Sequence, residues 1–256
     1  MKIIKKINQM SLSDINLREK KFHNKLQSSK KGRFENIFYR ALYNMYEDFN
    51  KYIKNKATEK VVLDYGCGVG SVTEKIAKFN PSKLYGVDIS EVSIDKATQN
   101  AEDLDLKINY SVDNCEATKF KSESFDLVFG SGILHHLNLN IALKEISRIL
   151  KKDGEMVFLE PLGTNPLINL YRKFSPNSRS VDEHPFLKKD FDFLNSLFKS
   201  VYIHYYGFLT LVFFLFYKNP KNSLIFRAVS KIDNYLFRIK FLNKLAWSVM
   251  IIAKKN

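Results

Sequence analysis

The stretch Val61-Val62-Leu63-Asp64-Tyr65-Gly66-Cys67-Gly68-Val69-Gly70-Ser71 decides how the rest of the chain is read. Its apolar, β-branched opening predicts a buried strand. The three alternate glycines predict a tight turn where a ligand can approach the backbone without meeting a Cβ, just ahead of a helix whose first amides favour an anion. Asp88 stands 22 residues after Gly66, at the end of a second apolar run, Leu84 to Val87. A carboxylate placed there can accept both hydroxyls of a ribose.

Working outward, short β-branched runs alternate with helical ones. Predicted strands are Val61 to Leu63, Leu84 to Val87, Ile108 to Val112, Phe125 to Phe129 and Met156 to Leu159, with helices at Ser71 to Phe79, Glu91 to Ala101 and Asn140 to Leu150. That alternation is the mark of a parallel sheet with helices on both faces, so the predicted fold class is doubly wound α/β. Ahead of it, Phe34, Phe38, Ala41, Met45 and Phe49 fall on one face of a predicted amphipathic helix. Behind it, Glu160 to Pro185 reads as irregular, Leu187 to Phe198 as a helix, Val201 to Tyr206 as a strand and Leu245 to Ala253 as the last strand. Between those two strands, Ile225, Val229, Ile232 and Leu236 form an apolar stripe, with Arg227, Lys231 and Arg238 on other faces: a basic amphipathic helix.

The 256 residues, 45% of them hydrophobic and 27% charged, suit one large globular domain rather than a disordered or fibrous chain. The basic start, Met1 to Met10, is interrupted by Lys, Asn and Gln and has no signal-peptide core. The longest apolar run, Gly207 to Tyr217, is far short of the roughly 18 to 20 residues that span a bilayer. A cytoplasmic location is the expectation. Two cysteines, Cys67 and Cys115, build neither a disulfide framework nor a zinc site. The net charge of +14 is uneven: residues 1–60 carry +9, residues 61–160 carry −5 and residues 161–256 carry +10. Basic ends around an acidic middle attract anionic surfaces or substrates, although a solvated lysine-rich surface explains much of the same pattern.

Asp64-x-Gly66-x-Gly68-x-Gly70, with Val87-Asp88-Ile89-Ser90, resembles the cofactor site of class I S-adenosyl-L-methionine-dependent methyltransferases. Dinucleotide dehydrogenases space their glycines G-x-G-x-x-G instead. Asp113-Asn114-Cys115-Glu116 resembles the family's stretch after the third strand, where an Asp side chain and the next amide meet the adenine. This chain has Asn114 where Asp is usual, which leaves the contact to the Asn114 amide oxygen or to Asp113 in a shifted register. Phe125 to Val128 and Gly130 to Leu137 look like the fourth strand and its loop, and Leu150 to Glu155 like the turn before the fifth.

The resemblance implies a Rossmann-like seven-stranded sheet, mostly parallel with an antiparallel last strand. It implies an N-terminal helical cap over residues 1–57, a cofactor-binding core over 58–160, and a remainder, 161–256, that completes the sheet and carries two lid insertions, 161–187 and 208–244, on the cofactor side. The implied S-adenosylmethionine site comprises Asp64, holding the methionine moiety, with Gly66, Cys67, Gly68, Gly70, Asp88, Ile89, Asn114, Cys115 and Ser131.

An alcohol acceptor needs a base, and the candidates are His135, His136, Glu160, Asp182 and His184, of which His135 and Glu160 are expected in the cleft beyond the strand ends. The alternative for each histidine is packing or helix initiation. Base-amino methyltransferases carry an Asn/Asp-Pro-Pro-aromatic run where this chain has Gly130-Ser131-Gly132-Ile133, so nucleic acid is disfavoured as the acceptor. A Pro-Cys nucleophile and an aspartate cluster for a metal are absent too, and no metal is expected. The expectation is methyl transfer, at oxygen first and at carbon or nitrogen otherwise, to a small-molecule or lipid-like acceptor beneath an aromatic, basic roof. Contact with an anionic membrane is open to that roof. The competing readings are a docking module that keeps the fold without turnover, and an RNA methyltransferase.

Overall fold

A computed structural model describes residues 13–28, 37–174, 180 and 182–256. Seven strands form one sheet in the order β3-β2-β1-β4-β5-β7-β6. In chain order they are β1 (Val61–Tyr65), β2 (Lys83–Asp88), β3 (Asn109–Val112), β4 (Phe125–Ser131), β5 (Leu150–Pro161), β6 (Ser200–Tyr206) and β7 (Ser248–Lys254). The first five run parallel, and β7 lies antiparallel between β5 and β6. The doubly wound, mostly parallel sheet matches the fold class expected from the sequence.

Because side chains alternate across a strand, each central strand feeds two cores. Leu63, Tyr65, Val128, Met156, Phe158, Val249 and Ile251 point to one, which α5 (Leu139–Ile149) and α7 (Lys188–Leu197) cover. Val62, Leu127, Phe129, Val157, Leu159, Met250 and Ile252 point to the other, beneath α2 (Tyr43–Ala57) and the short α3 (Thr73–Ala77). That two-sided burial is why these strands read as continuous apolar runs. α4 (Glu91–Asp103) follows β2, with Ser90 at its N-cap accepting the amide of Ser93 at 3.1 Å. α1 (Asp14–Ser28) packs on α4.

Five expectations change. The stripe from Phe38 to Phe49 is a 3-10 segment, Ile37–Leu42, running into α2, with Ala41, Met45 and Phe49 buried; Phe34 lies outside the described residues, as do Met1 to Met10. The helix after the glycines covers only Thr73–Ala77, because Gly70 has φ +81° and the loop turns once more before the helix starts. Within Glu160 to Pro185, expected to be irregular, Pro166–Phe174 forms α6, whose first turn is held by Asn165 Oδ1 accepting the amides of Leu167 and Ile168. The last strand starts at Ser248, since Lys240–Leu245 is a 3-10 segment.

The fifth change is the largest. Residues 208–244 hold α8 (Leu209–Val212), a 3-10 turn at Phe214–Phe216 and α9 (Leu224–Leu236). The buried face of α9 is Phe226, Ser230 and Asp233; of the predicted apolar stripe, Ile225 and Ile232 are exposed and Val229 and Leu236 half-buried.

Candidate active site

The site lies where the strand order reverses, beyond the carboxyl ends of β1 and β4, the crevice where open α/β sheets bind ligands. The backbone leaves β1 through Gly66 (φ +77°), Gly68 (φ +53°) and Gly70 (φ +81°). A Cβ on Gly68 would meet nothing within 4 Å, whereas one on Gly70 would lie 2.3 Å from the Tyr110 hydroxyl. The glycines therefore serve different ends: Gly68 leaves room above the loop and Gly70 lets the loop close onto β3.

Asp88 ends β2 with one carboxylate oxygen accepting the Gly68 amide and the other the Ser90 amide, both at 2.9 Å. These bonds fix the carboxylate between the glycine loop and α4, with lone pairs left over for a ligand. Below the loop, Asp64 is buried and accepts the Thr73 hydroxyl at 2.6 Å; burial pushes its carboxyl up to about 7 against that hydrogen bond, and the nearby Asp88 charge adds to the rise.

Gly66, Gly68, Asp88, Ile89, Asn114, Cys115 and Ser131 share one cavity of about 150 Å3 with Ile133, His136 and Leu137. Asp64, Cys67 and Gly70 do not line it and support the loop from beneath. Asn114 faces the cavity, while neighbouring Asp113 turns back to accept the amides of Asn114 and Lys119 at 2.9 Å. Both cysteines are buried, which holds their thiols well above the usual range and leaves them as packing groups.

Sequence reasoning missed Asn16 and Glu19, which close the cavity from α1. Two polar residues three apart on a charged helix carry no signal of their own. α1 is tied down by Arg18 on Asp182 at 2.8 Å, by Lys20 on Glu91, and by Asn16 on Glu116 at 3.2 Å. At about 150 Å3 the cavity beneath α1 is smaller than the roughly 300–1,000 Å3 usual for ligand pockets.

The candidate bases separate in space. Glu160 is completely buried and accepts the amides of Ile133, Leu134 and His135, with its Oε2 2.7 Å from His135 Nδ1; burial pushes its carboxyl up to about 7 despite those bonds. Neither Glu160 nor His135 lines the cavity, contrary to expectation: the 3-10 turn at Leu134–His136 folds His135 back over the end of β5. His136 does line it, its Nδ1 3.1 Å from Glu19 Oε2 and its ring tilted by 39° against His135 with centroids 4.0 Å apart. His184 lies outside, in an open depression with Asn169 and Arg172, 3.1 Å from Asp190. Its amide donates to the His135 carbonyl at 2.7 Å. His135, His136 and Glu183 offer ligand atoms within 4.8 Å of one another, but the two imidazoles already engage Glu160 and Glu19. No residue of 208–244 lines the cavity, so the expected roof on that side does not reach it.

A family model described as a methyltransferase domain matches residues 63–158, which span the glycine loop, Asp88, Asn114 and the histidine turn. The chain carries a class I S-adenosylmethionine-dependent methyltransferase domain. Among curated relatives of this domain, the ubiquinone biosynthesis O-methyltransferase of Pelagibacter ubique is 34% identical over 115 residues, 44% of this chain and 47% of that protein. A sterol 24-C-methyltransferase of Aspergillus fumigatus is 34% identical over 111 residues, 42% of this chain and 29% of that one. The chain thus spans about half the length, or less, of the curated relatives it matches. Magnesium protoporphyrin IX methyltransferase of Synechocystis PCC 6803, solved with bound SAH, superposes with a TM-score of 0.64 over 95% of this chain and all of that one, at 13% identity. This likeness concerns the fold.

Proposed function

We propose that the protein transfers a methyl group from S-adenosylmethionine to a small-molecule or lipid-like acceptor, with oxygen as the receiving atom. The observation that carries the reading is the Asp88 carboxylate, held by the Gly68 and Ser90 amides at the mouth of a cavity that Asn114 and His136 also line. The residues fit the cofactor: Gly68 leaves space where any other residue would place a Cβ, and Asp88 keeps lone pairs for two ribose hydroxyls. In this reading Asn114 and the Cys115 amide meet the adenine, Ile89 and Cys115 flank it, and Gly66 with Ser131 borders the amino-acid arm. Asp64 supports that arm from below. The bound cofactor supplies an electrophilic methyl group on a sulfonium.

The chain's own work is to place the acceptor and handle its proton. His136 is the side chain best placed to take a hydroxyl proton, since its ring lines the cavity and Glu19 orients it. Glu160 and His135 act behind it as positioning residues: the carboxylate holds three amides of the turn that presents His136. The two curated relatives bear names that place their acceptors among quinone precursors and sterols, one at oxygen and one at carbon. An apolar acceptor is the class both share.

The test is transfer of labelled methyl from S-adenosylmethionine by the purified protein to the metabolite, lipid and RNA fractions of a cell extract. Label in the metabolite or lipid fraction, lost with Asp88→Ala, supports the proposal. Label in RNA alone, or cofactor binding with no transfer to any fraction, overturns it in favour of an RNA enzyme or a docking module respectively.

A further inference from the structure

Helix α9 buries Phe226, Ser230 and Asp233 and half-buries Val229 and Leu236, which leaves a second apolar arc on its outer side. The Asp233 carboxylate accepts the amides of Phe208 at 3.3 Å, Leu209 at 2.7 Å and Thr210 at 3.1 Å, and the Thr210 hydroxyl at 2.9 Å. Asn44 donates to the Ser230 hydroxyl at 2.7 Å, and Phe226 meets Tyr43 and Tyr217 edge-on. These contacts fix the rotation of the helix about its axis. They leave Leu224 74%, Ile225 51%, Ile232 49% and Tyr235 65% exposed.

With 3.6 residues per turn those four side chains share one arc of the helix, Arg227 and Lys231 fill the arc beside it, and Arg238 follows just past the helix end. All three cations are exposed. Leu215 and Phe216, in the turn that follows α8, are exposed as well, and α8 packs directly on α9. Between Phe208 and Lys244 the sole acid is Asp233, which is buried, so no negative charge from this segment opposes the basic arc. No described helix is long and apolar enough to cross a membrane. An apolar arc flanked by cations of one sign matches the interfacial helix, which lies in the plane of a membrane with its apolar side among the acyl chains and its cations at the headgroups.

We propose that the outward face of α9, with the Leu215-Phe216 turn beside it, docks on an anionic lipid bilayer. The proposal stands on the packing of α9 and does not depend on methyl transfer. It is tested by sedimenting the full chain with vesicles of phosphatidylcholine alone and of phosphatidylcholine mixed with phosphatidylglycerol. Binding to the mixed vesicles is expected to exceed binding to the neutral ones by tenfold or more, and to weaken with salt. The double variant Ile225→Glu, Ile232→Glu should reduce it at least tenfold. Replacing Arg227, Lys231 and Arg238 by Gln should reduce it about fivefold for each charge removed.

The substituted side chains are exposed, so melting temperature and S-adenosylmethionine binding, measured on the same preparations, should stay at wild-type values. Equal sedimentation of the wild type and the Glu variant, or no preference for the anionic vesicles, overturns the proposal. So does a wild-type dimer that the Glu variant dissociates, because a second copy would then cover the face. Loss of cofactor binding with vesicle binding intact would count against the methyltransferase reading alone.

Discussion

Asp88 accepts the amide of Gly68 at 2.9 Å, joining the end of β2 to the glycine loop that follows the neighbouring strand β1. One carboxylate thereby shapes the loop and faces the ligand. Asp88→Ala should weaken S-adenosylmethionine binding by about a hundredfold or more, since two hydrogen bonds to a charged group are worth about 1.5–3 kcal/mol each. Titration calorimetry checks this, and a change below about threefold would remove Asp88 from the cofactor site.

Gly68 and Gly70 should respond differently to alanine. Gly70→Ala forces a side chain into φ +81° and against the Tyr110 hydroxyl, so a loss of about 2–4 kcal/mol of stability is expected from the two penalties together. Tyr110→Phe in the same chain should restore part of it. Gly68→Ala carries only the φ penalty, about 1–2 kcal/mol, and should act chiefly on cofactor affinity because its methyl enters the space above the loop. Thermal melts and titrations of both variants separate the two effects.

His136 and Glu160 are separable by kinetics once an acceptor has been labelled. His136→Ala should lower kcat by about 10²–10⁴ with little change in cofactor KM, the usual loss on removing a general base. Glu160→Gln replaces an oxygen that accepts backbone amides with a group that donates, so destabilisation by about 1–3 kcal/mol is expected with a smaller loss of kcat. An unchanged rate in His136→Ala would rule it out as the base.

Burial sets the pH dependence of stability around neutrality. The carboxyls of Asp64 and Glu160 rise from ordinary values of 3.8 and 4.5 to about 7 in the folded chain, so between those limits the native state binds more protons than the unfolded one. Stability from these two groups is therefore present in full below about pH 4 and falls as pH rises toward 7. Asp64→Asn should flatten the decline in melting temperature between pH 5 and 7.5. An identical slope in wild type and variant would show that Asp64 is ionised throughout.

Arg18 and Asp182 latch α1 across the cavity through two contacts at 2.8 Å, but Arg18 is more than half exposed. Exposed pairs contribute about 0–1 kcal/mol, so Arg18→Ala should speed cofactor association by no more than about fivefold. Stopped-flow binding measures it. A slower rate would mean that α1 has to be latched for the cofactor to bind.

The parallel core was legible because its signals are local. Val61 to Leu63, Leu84 to Val87 and Phe125 to Phe129 are apolar runs flanked by turn residues, and each became a strand buried on both faces. The glycine spacing and Asp88 were legible for the same reason, since a tight turn demands particular residues at particular steps. Of the bases, His135 and His136 were both candidates and His135 was the one expected in the cleft, but nothing in Leu134-His135-His136 says which imidazole faces the cavity. That choice is made by Glu160, 25 residues from His135, reaching the turn with one oxygen on two amides and the other on the His135 ring.

The amino-acid sequence by itself determined the order of strands and helices, the glycine loop, the carboxylate at the end of β2 and the basic character of the C-terminal third, all of which depend on neighbours a few residues away. Tertiary structure alone decided that α1 closes the cavity with Asn16 and Glu19, that His135 turns away from the cavity, and that α9 leaves Ile225 and Ile232 on the outside. The reason is physical. A periodic pattern reports that a helix has two faces, but which face is buried depends on the distant groups that must be satisfied, and here the amides at 208–210 required the carboxylate of Asp233.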